Sequence, residues 1–80
     1  MKNRFSIELV SDLDFEGLVV DISIENQVIA RLNYDKGIDK IEMELIPLST
    51  PFAFPLAEFF ETLERVKTIL FECSKDQSQG

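Results

Sequence analysis

The chain has 80 residues, a formal net charge of −7 and no histidine, and Cys73 is its single cysteine. Imidazole is the side chain best suited to proton transfer near neutrality and the commonest metal ligand, so most routes to catalysis and metal binding are closed at the outset. Fifteen acidic residues against eight basic ones, with no basic stripe, argue against a nucleic-acid or anionic-membrane partner, since both demand clustered cations.

A chain of this length holds one core. The expected division is a single α+β domain over 1–73 and a frayed polar tail over 74–80. No apolar run approaches the roughly 18 residues of a membrane span. Glu8 interrupts the run a signal peptide would need, and one cysteine requires no oxidising compartment, so the expected location is the cytoplasm.

Phe5-Ser6-Ile7-Glu8-Leu9 carries apolar residues at odd positions and predicts a strand over 3–10. Asp12-Leu13-Asp14-Phe15-Glu16-Gly17 then opens like a calcium loop, with oxygen ligands at alternate positions and a glycine sixth. The twelfth position, which must supply a bidentate glutamate, is Ser23. A polar turn is the expectation.

Leu18, Val20, Ile22 and Ile24 alternate with Val19, Asp21, Ser23 and Glu25, and predict a strand over 16–25. Val28, Ala30, Leu32 and Tyr34 do the same over 27–35, and Ile41, Met43 and Leu45 over 39–46. Paired residues share a face, so register follows from parity. An odd turn at Glu25-Asn26-Gln27 sets Asp21 opposite Arg31. A two-residue turn at Lys36-Gly37 sets Leu32 opposite Ile41, with Gly37 supplying the positive φ of a tight hairpin. Connections this short join antiparallel strands, and antiparallel sheets tolerate one wet face.

After Pro47 the period changes. Pro55 stands where a helix would begin, and Leu56, Phe59, Phe60, Leu63, Val66 and Leu70 recur at helical spacing over 55–73. The predicted fold is therefore α+β, a four-stranded antiparallel meander sheet with one C-terminal amphipathic helix packed on one face. Val20, Ile22, Ala30, Leu32, Ile41, Met43, Phe59, Leu63, Val66 and Leu70 form the expected core.

The wet face sets Arg31 between Asp21 and Glu42, with Glu44 nearby. Three readings apply. One is a cross-strand ion-pair ladder, which is routine on such a face. Another is an acidic binding face in which Asp21, Arg31, Glu42 and Glu44 meet a basic partner. The third, a glycosidase-like carboxylate pair, needs a cleft and one carboxyl with a raised pKa, and an open sheet face beside an arginine offers neither. Cys73 has no base to activate it, and no glycine-rich phosphate loop exists. Catalysis is not expected, nor is a cofactor or a metal.

Several apolar residues fall outside the expected core: Val19, Ile29 and Ile46 on the wet face, Phe52 and Phe54 in a loop, and Ile69 and Phe71 on the outer side of the helix. So many in a small domain point to a covered surface. A homodimer seam built on Ile69 and Phe71 is one such cover.

Asp14-Phe15-Glu16-Gly17-Leu18-Val19-Val20-Asp21-Ile22, Ile41-Glu42-Met43-Glu44-Leu45-Ile46-Pro47 and Phe54-Pro55-Leu56-Ala57-Glu58-Phe59-Phe60 resemble the small acidic bacterial immunity proteins of polymorphic toxin systems, in layout and charge. The resemblance implies an acidic surface that neutralises a toxin by direct binding. The function expected is a non-enzymatic acidic protein-binding module, an immunity-like inhibitor of a basic partner. The alternative is a homo-oligomeric structural or regulatory domain.

Overall fold

The computed structural model describes residues 4–11, 13–15, 17–51 and 53–78. Strands β1 (Phe5–Ser11), β2 (Leu18–Ile24), β3 (Gln27–Asn33) and β4 (Glu42–Leu45) precede one helix, α1 (Leu56–Ser78). The strands run antiparallel in the order β1-β2-β3-β4, and α1 packs on the sheet. This is the predicted α+β meander. Its period-two segments form the ladder, and the period-3.6 segment forms the helix.

The β2–β3 turn differs from the expected three-residue one. Glu25 and Asn26 take φ of 52° and 66°, as a type I′ turn requires, and Ile24 pairs with Gln27. The odd residue reappears as a bulge, because the register steps from Ser23↔Val28 to Ile22↔Ala30 across Ile29. Two consequences follow. Asp21 still stands opposite Arg31, as parity demanded. Val28 now shares the face of Ser23, and Ile29, expected on the wet face, is buried in the main core cluster.

The β3–β4 register is also corrected. Leu32 pairs with Met43 and Asn33 with Glu42, so Leu32 does not meet Ile41, and Arg31 faces Glu44 rather than Glu42. The displacement is two residues, which leaves every side chain on its predicted face. Ile38 and Ile41 leave the ladder and pack against the core instead. A wider loop results, closed by the Gly37 N–H donating to the Tyr34 carbonyl at 2.9 Å and the Lys40 N–H donating to that of Gly37 at 3.0 Å. Gly37 has φ +121°, where any side chain is strained, and a Cβ there would also stand 3.0 Å from Asp39 Oδ1, which would have to shift.

The helix begins at Leu56 with the Pro55 carbonyl accepting from the Phe59 N–H at 3.3 Å, one residue later than expected. It runs to Ser78, through the segment expected to fray. No glycine or proline interrupts 74–78, and Lys75 sits favourably in the last turn of the helix dipole. Its buried stripe is Thr62, Val66 and Leu70, flanked by Phe59, Leu63 and Ile69. The stripe is thus rotated from the predicted one. Leu56 and Phe60 face solvent, and Ile69, expected outside, packs on the core. Thr62 is admitted because its hydroxyl donates to the Glu58 carbonyl at 2.8 Å.

Three aromatic rings fix where the helix lands. Phe5 of β1 meets Phe54 edge-on with centroids 5.0 Å apart, and Phe59 of α1 lies 5.6 Å from Phe5 and 5.2 Å from Phe54. Phe54, expected as a loop residue outside the core, is therefore the wedge between sheet and helix. Phe52 lies outside the described residues. The helix lies over β1 and β2. Val20, Ile22, Ala30, Leu32, Val66 and Leu70 are buried as predicted, and Ile41, Phe59 and Leu63 pack at the margin. Met43 is the exception at 42% exposed, since the helix packs mainly on β1 and β2 and leaves a groove between itself and Met43.

Tyr34, just past β3, packs on the core within electrostatic reach of Cys73 near the far end of the helix. Burial raises its pKa above 10.0, and Cys73 and Asp35 raise it further. As pH rises past 10.0, an unfolded chain ionises first, so stability falls until the raised folded value is passed. Tyr34 is the only tyrosine and there is no tryptophan. Alkaline titration followed by phenolate absorbance should give a midpoint above 10.0 in the native protein and an ordinary one in denaturant. A native midpoint at or below 10.0 would contradict this packing.

The rotated helix stripe has its own test. Leu70 is fully buried and Leu56 is 63% exposed. Leu70→Ala should cost about 2–5 kcal/mol in denaturant unfolding, and Leu56→Ala no more than about 0.5 kcal/mol. Equal losses would return the stripe to its predicted position.

Candidate functional site

The face opposite the helix carries the four predicted binding residues, and it divides them. Register sets Asp21 and Arg31 directly opposite each other at the centre of the sheet. The Arg31 guanidinium donates through Nε to Asp21 Oδ1 at 2.6 Å and through Nη2 to Oδ2 at 2.9 Å, a two-pronged clamp. Asp21 is only 5% exposed. Its carboxylate is committed to Arg31 inside the fold, so the placement of Asp21 on an open acidic surface is corrected.

Val19, predicted to interrupt this face, is one of the buried residues beside the clamp in sequence. Val10 stands opposite Val19, and Val19 is fully enclosed although it lies outside the main core cluster. Phe15, in the β1–β2 connection, borders a shallow depression with Asn33, Glu42 and Glu44. The face is therefore partly dry, with the clamp set among apolar neighbours. Asn33 is buried too, and its Oδ1 accepts from the Asp35 N–H at 3.1 Å, which ties the end of β3 to the loop beyond.

Glu42 and Glu44 belong to a different setting. Every residue of β4 is exposed. Glu42 accepts from Lys36 Nζ at 2.8 Å across the β3–β4 loop. That hydrogen bond and the accompanying charge raise the Lys36 pKa above its ordinary value. The pair stands in water and is screened by salt, so it steers the loop more than it stabilises the fold. Glu44 faces Arg31 in the register but extends into solvent.

On the helix side of β4, Met43 borders a groove of about 600 Å³ lined also by Leu32, Ile38, Asp39, Ile41, Leu63 and Lys67. Leu45 is 68% exposed. This groove is the part of the dry face that α1 leaves uncovered. The exposed strip of Leu56 and Phe60 runs along the helix beside Leu63. The sequence reading missed the groove because it placed Ile41 and Met43 beneath the helix.

The remaining candidates separate. Ile69 packs against the core, and Phe71 is exposed with Lys75 Nζ 4.8 Å above its ring. Cys73 is a half-buried free thiol. Among the described residues no group of three or more His, Cys, Asp or Glu converges as a metal site would. Asp12 and Glu16 of the calcium-like stretch lie outside the described residues. No described helix is long and apolar enough to cross a membrane. Compared with protein-family models, curated proteins and solved structures, the chain matches none.

The two settings should respond differently to substitution. Asp21→Ala strips a two-pronged partner from a partly buried arginine and should lower unfolding stability by about 1–3 kcal/mol. Glu44→Gln should change it by no more than about 0.5 kcal/mol. If both variants melt like the wild type, the clamp holds nothing together.

Proposed function

We propose that the chain is a non-enzymatic acidic protein-binding module whose partner is basic. The observation that carries the reading is β4, where Glu42 and Glu44 stand exposed on one face of a strand whose other face offers Met43 and Leu45 beside an open apolar groove. A surface that is both apolar and acidic, on a chain of net charge −7, favours a partner that is both apolar and basic. The missing histidine and the lone thiol support binding over turnover. The resemblance to immunity-type proteins gives the partner a class, a basic toxin that the chain inhibits by covering it.

A second reading has its own observation. Leu56, Phe60 and Phe71 are exposed large apolar residues on one helix. A homo-oligomeric structural or regulatory domain would cover them with a second copy. Phe71 is exposed, as a seam residue must be, whereas Ile69 packs against the core. Sedimentation across concentration separates the readings, since self-association through this strip would vanish in Phe60→Glu.

The binding reading is tested by capturing the partner from the native cell, purifying it and measuring its affinity directly. The captured protein should be basic, and the double variant Glu42→Lys, Glu44→Lys should bind it at least about tenfold more weakly, with a steep salt dependence for the wild type. A neutral or acidic partner, or one indifferent to the double reversal, would refute it.

A further inference from the structure

We propose that the outer edge of β4 is a strand-addition site, taking an extended segment of the partner in which basic and apolar residues alternate. The proposal rests on the reading above that the partner is basic, and adds the form in which the partner is recognised.

The backbone sets the geometry. The Ile46 N–H donates to the Ile29 carbonyl at 2.9 Å, which fixes the hydrogen-bonding phase of β4 against β3. Backbone groups on a strand point alternately to its two sides, so Glu44 and Glu42 turn their N–H and C=O groups inward to β3. Met43 and Leu45 turn theirs outward. β4 is the last strand in the sheet order, so no strand of the described sheet pairs with those groups.

Of these two residues Met43 lines the groove, and Leu45, on the same face of the strand, is 68% exposed beside it. An added strand in the antiparallel sense, the stronger pairing and the sense of the whole sheet, meets Met43 and Leu45 with residues that share their face. Those residues continue the exposed apolar face of Met43 and Leu45 next to the groove and must be apolar. The residues between them share the face of Glu42 and Glu44, where opposite charges stabilise and like charges do not. Alternating apolar and basic residues satisfy both faces at once.

The charges also decide against a second copy. Two copies paired antiparallel through β4 would set the Glu42–Glu44 face of one against the same face of the other, with net charge −7 on each chain. β1, the other edge strand, has no groove beside it comparable to that at Met43 among the described residues. The helix lies over that side, with Phe59 on Phe5 and Arg4 Nε 3.7 Å from Glu58 Oε1.

The probe is a short synthetic peptide alternating lysine and valine, compared with a peptide of the same composition in which the lysines and valines form two blocks. Two further alternating peptides carry backbone N-methyl groups, one at every valine and one at every lysine. The alternating peptide should bind at least about tenfold more tightly than the block peptide. Methylation at the valines, whose amides face β4, should abolish that advantage, and methylation at the lysines should leave it. Amide hydrogens of Met43 and Leu45 should exchange more slowly in the complex. Equal affinity for alternating and block peptides would overturn strand addition while leaving a basic partner in place. No affinity for any of the peptides would remove both readings. Slow exchange of Met43 and Leu45 in the free protein, increasing with its concentration, would make a second copy the occupant and overturn the proposal.

Discussion

The packing of Phe5, Phe54 and Phe59 decides the shape of the molecule. The three rings join the first strand, the segment before the helix and the first turns of the helix itself, with centroids 5.0 to 5.6 Å apart. Aromatic contacts of this kind add specific geometry to the area they bury. Held at that corner, α1 lies over β1 and β2. One helix about 10 Å wide cannot cover four strands spaced about 4.8 Å apart. The uncovered remainder is the groove beside β4, so the candidate site follows from where the helix is moored.

The opposite face is governed by the Asp21–Arg31 clamp. The unequal burial of its two members matters, with side-chain exposures of 7% for Asp21 and 28% for Arg31. A carboxylate withdrawn from water is tolerable when both oxygens are satisfied, and here each accepts a guanidinium N–H. The clamp joins β2 to β3 two residues from the bulge at Ile29 and holds the register where the ladder is least regular. The clamp thus helps to specify pairing, and of the four predicted binding residues only Glu42 and Glu44 on β4 stand exposed.

Edge strands invite pairing, and stable proteins limit the hazard with short edges and charged side chains. β4 has both features, being four residues long with two glutamates. Those carboxylates discourage pairing between like copies, while the outward backbone of Met43 and Leu45 stays available to a strand of opposite charge. On the proposed reading, one arrangement disfavours pairing of two copies through β4 and admits a basic strand there. Restricting the wrong partner by charge is a common route to specificity.

The sequence by itself determined the element types, their order, the antiparallel meander and the Asp21–Arg31 pairing, because side-chain period and parity are local properties of the chain. It could not set turn lengths. A three-residue turn and a two-residue turn with a bulge satisfy the same parity, and only the bulge moves Ile29 into the core. The β3–β4 register escaped for a similar reason, since a shift of two preserves every face while Ile38 and Ile41 find better burial off the ladder. Helix rotation and position were settled by tertiary contact. Leu56, Phe60 and Ile69 are equally apolar in sequence, and the Phe5–Phe54–Phe59 packing decides which of them meets the sheet. Periodicity says that a face is dry; how much of it one helix can cover is a matter of width and docking, and that difference exposes Met43 and Leu45.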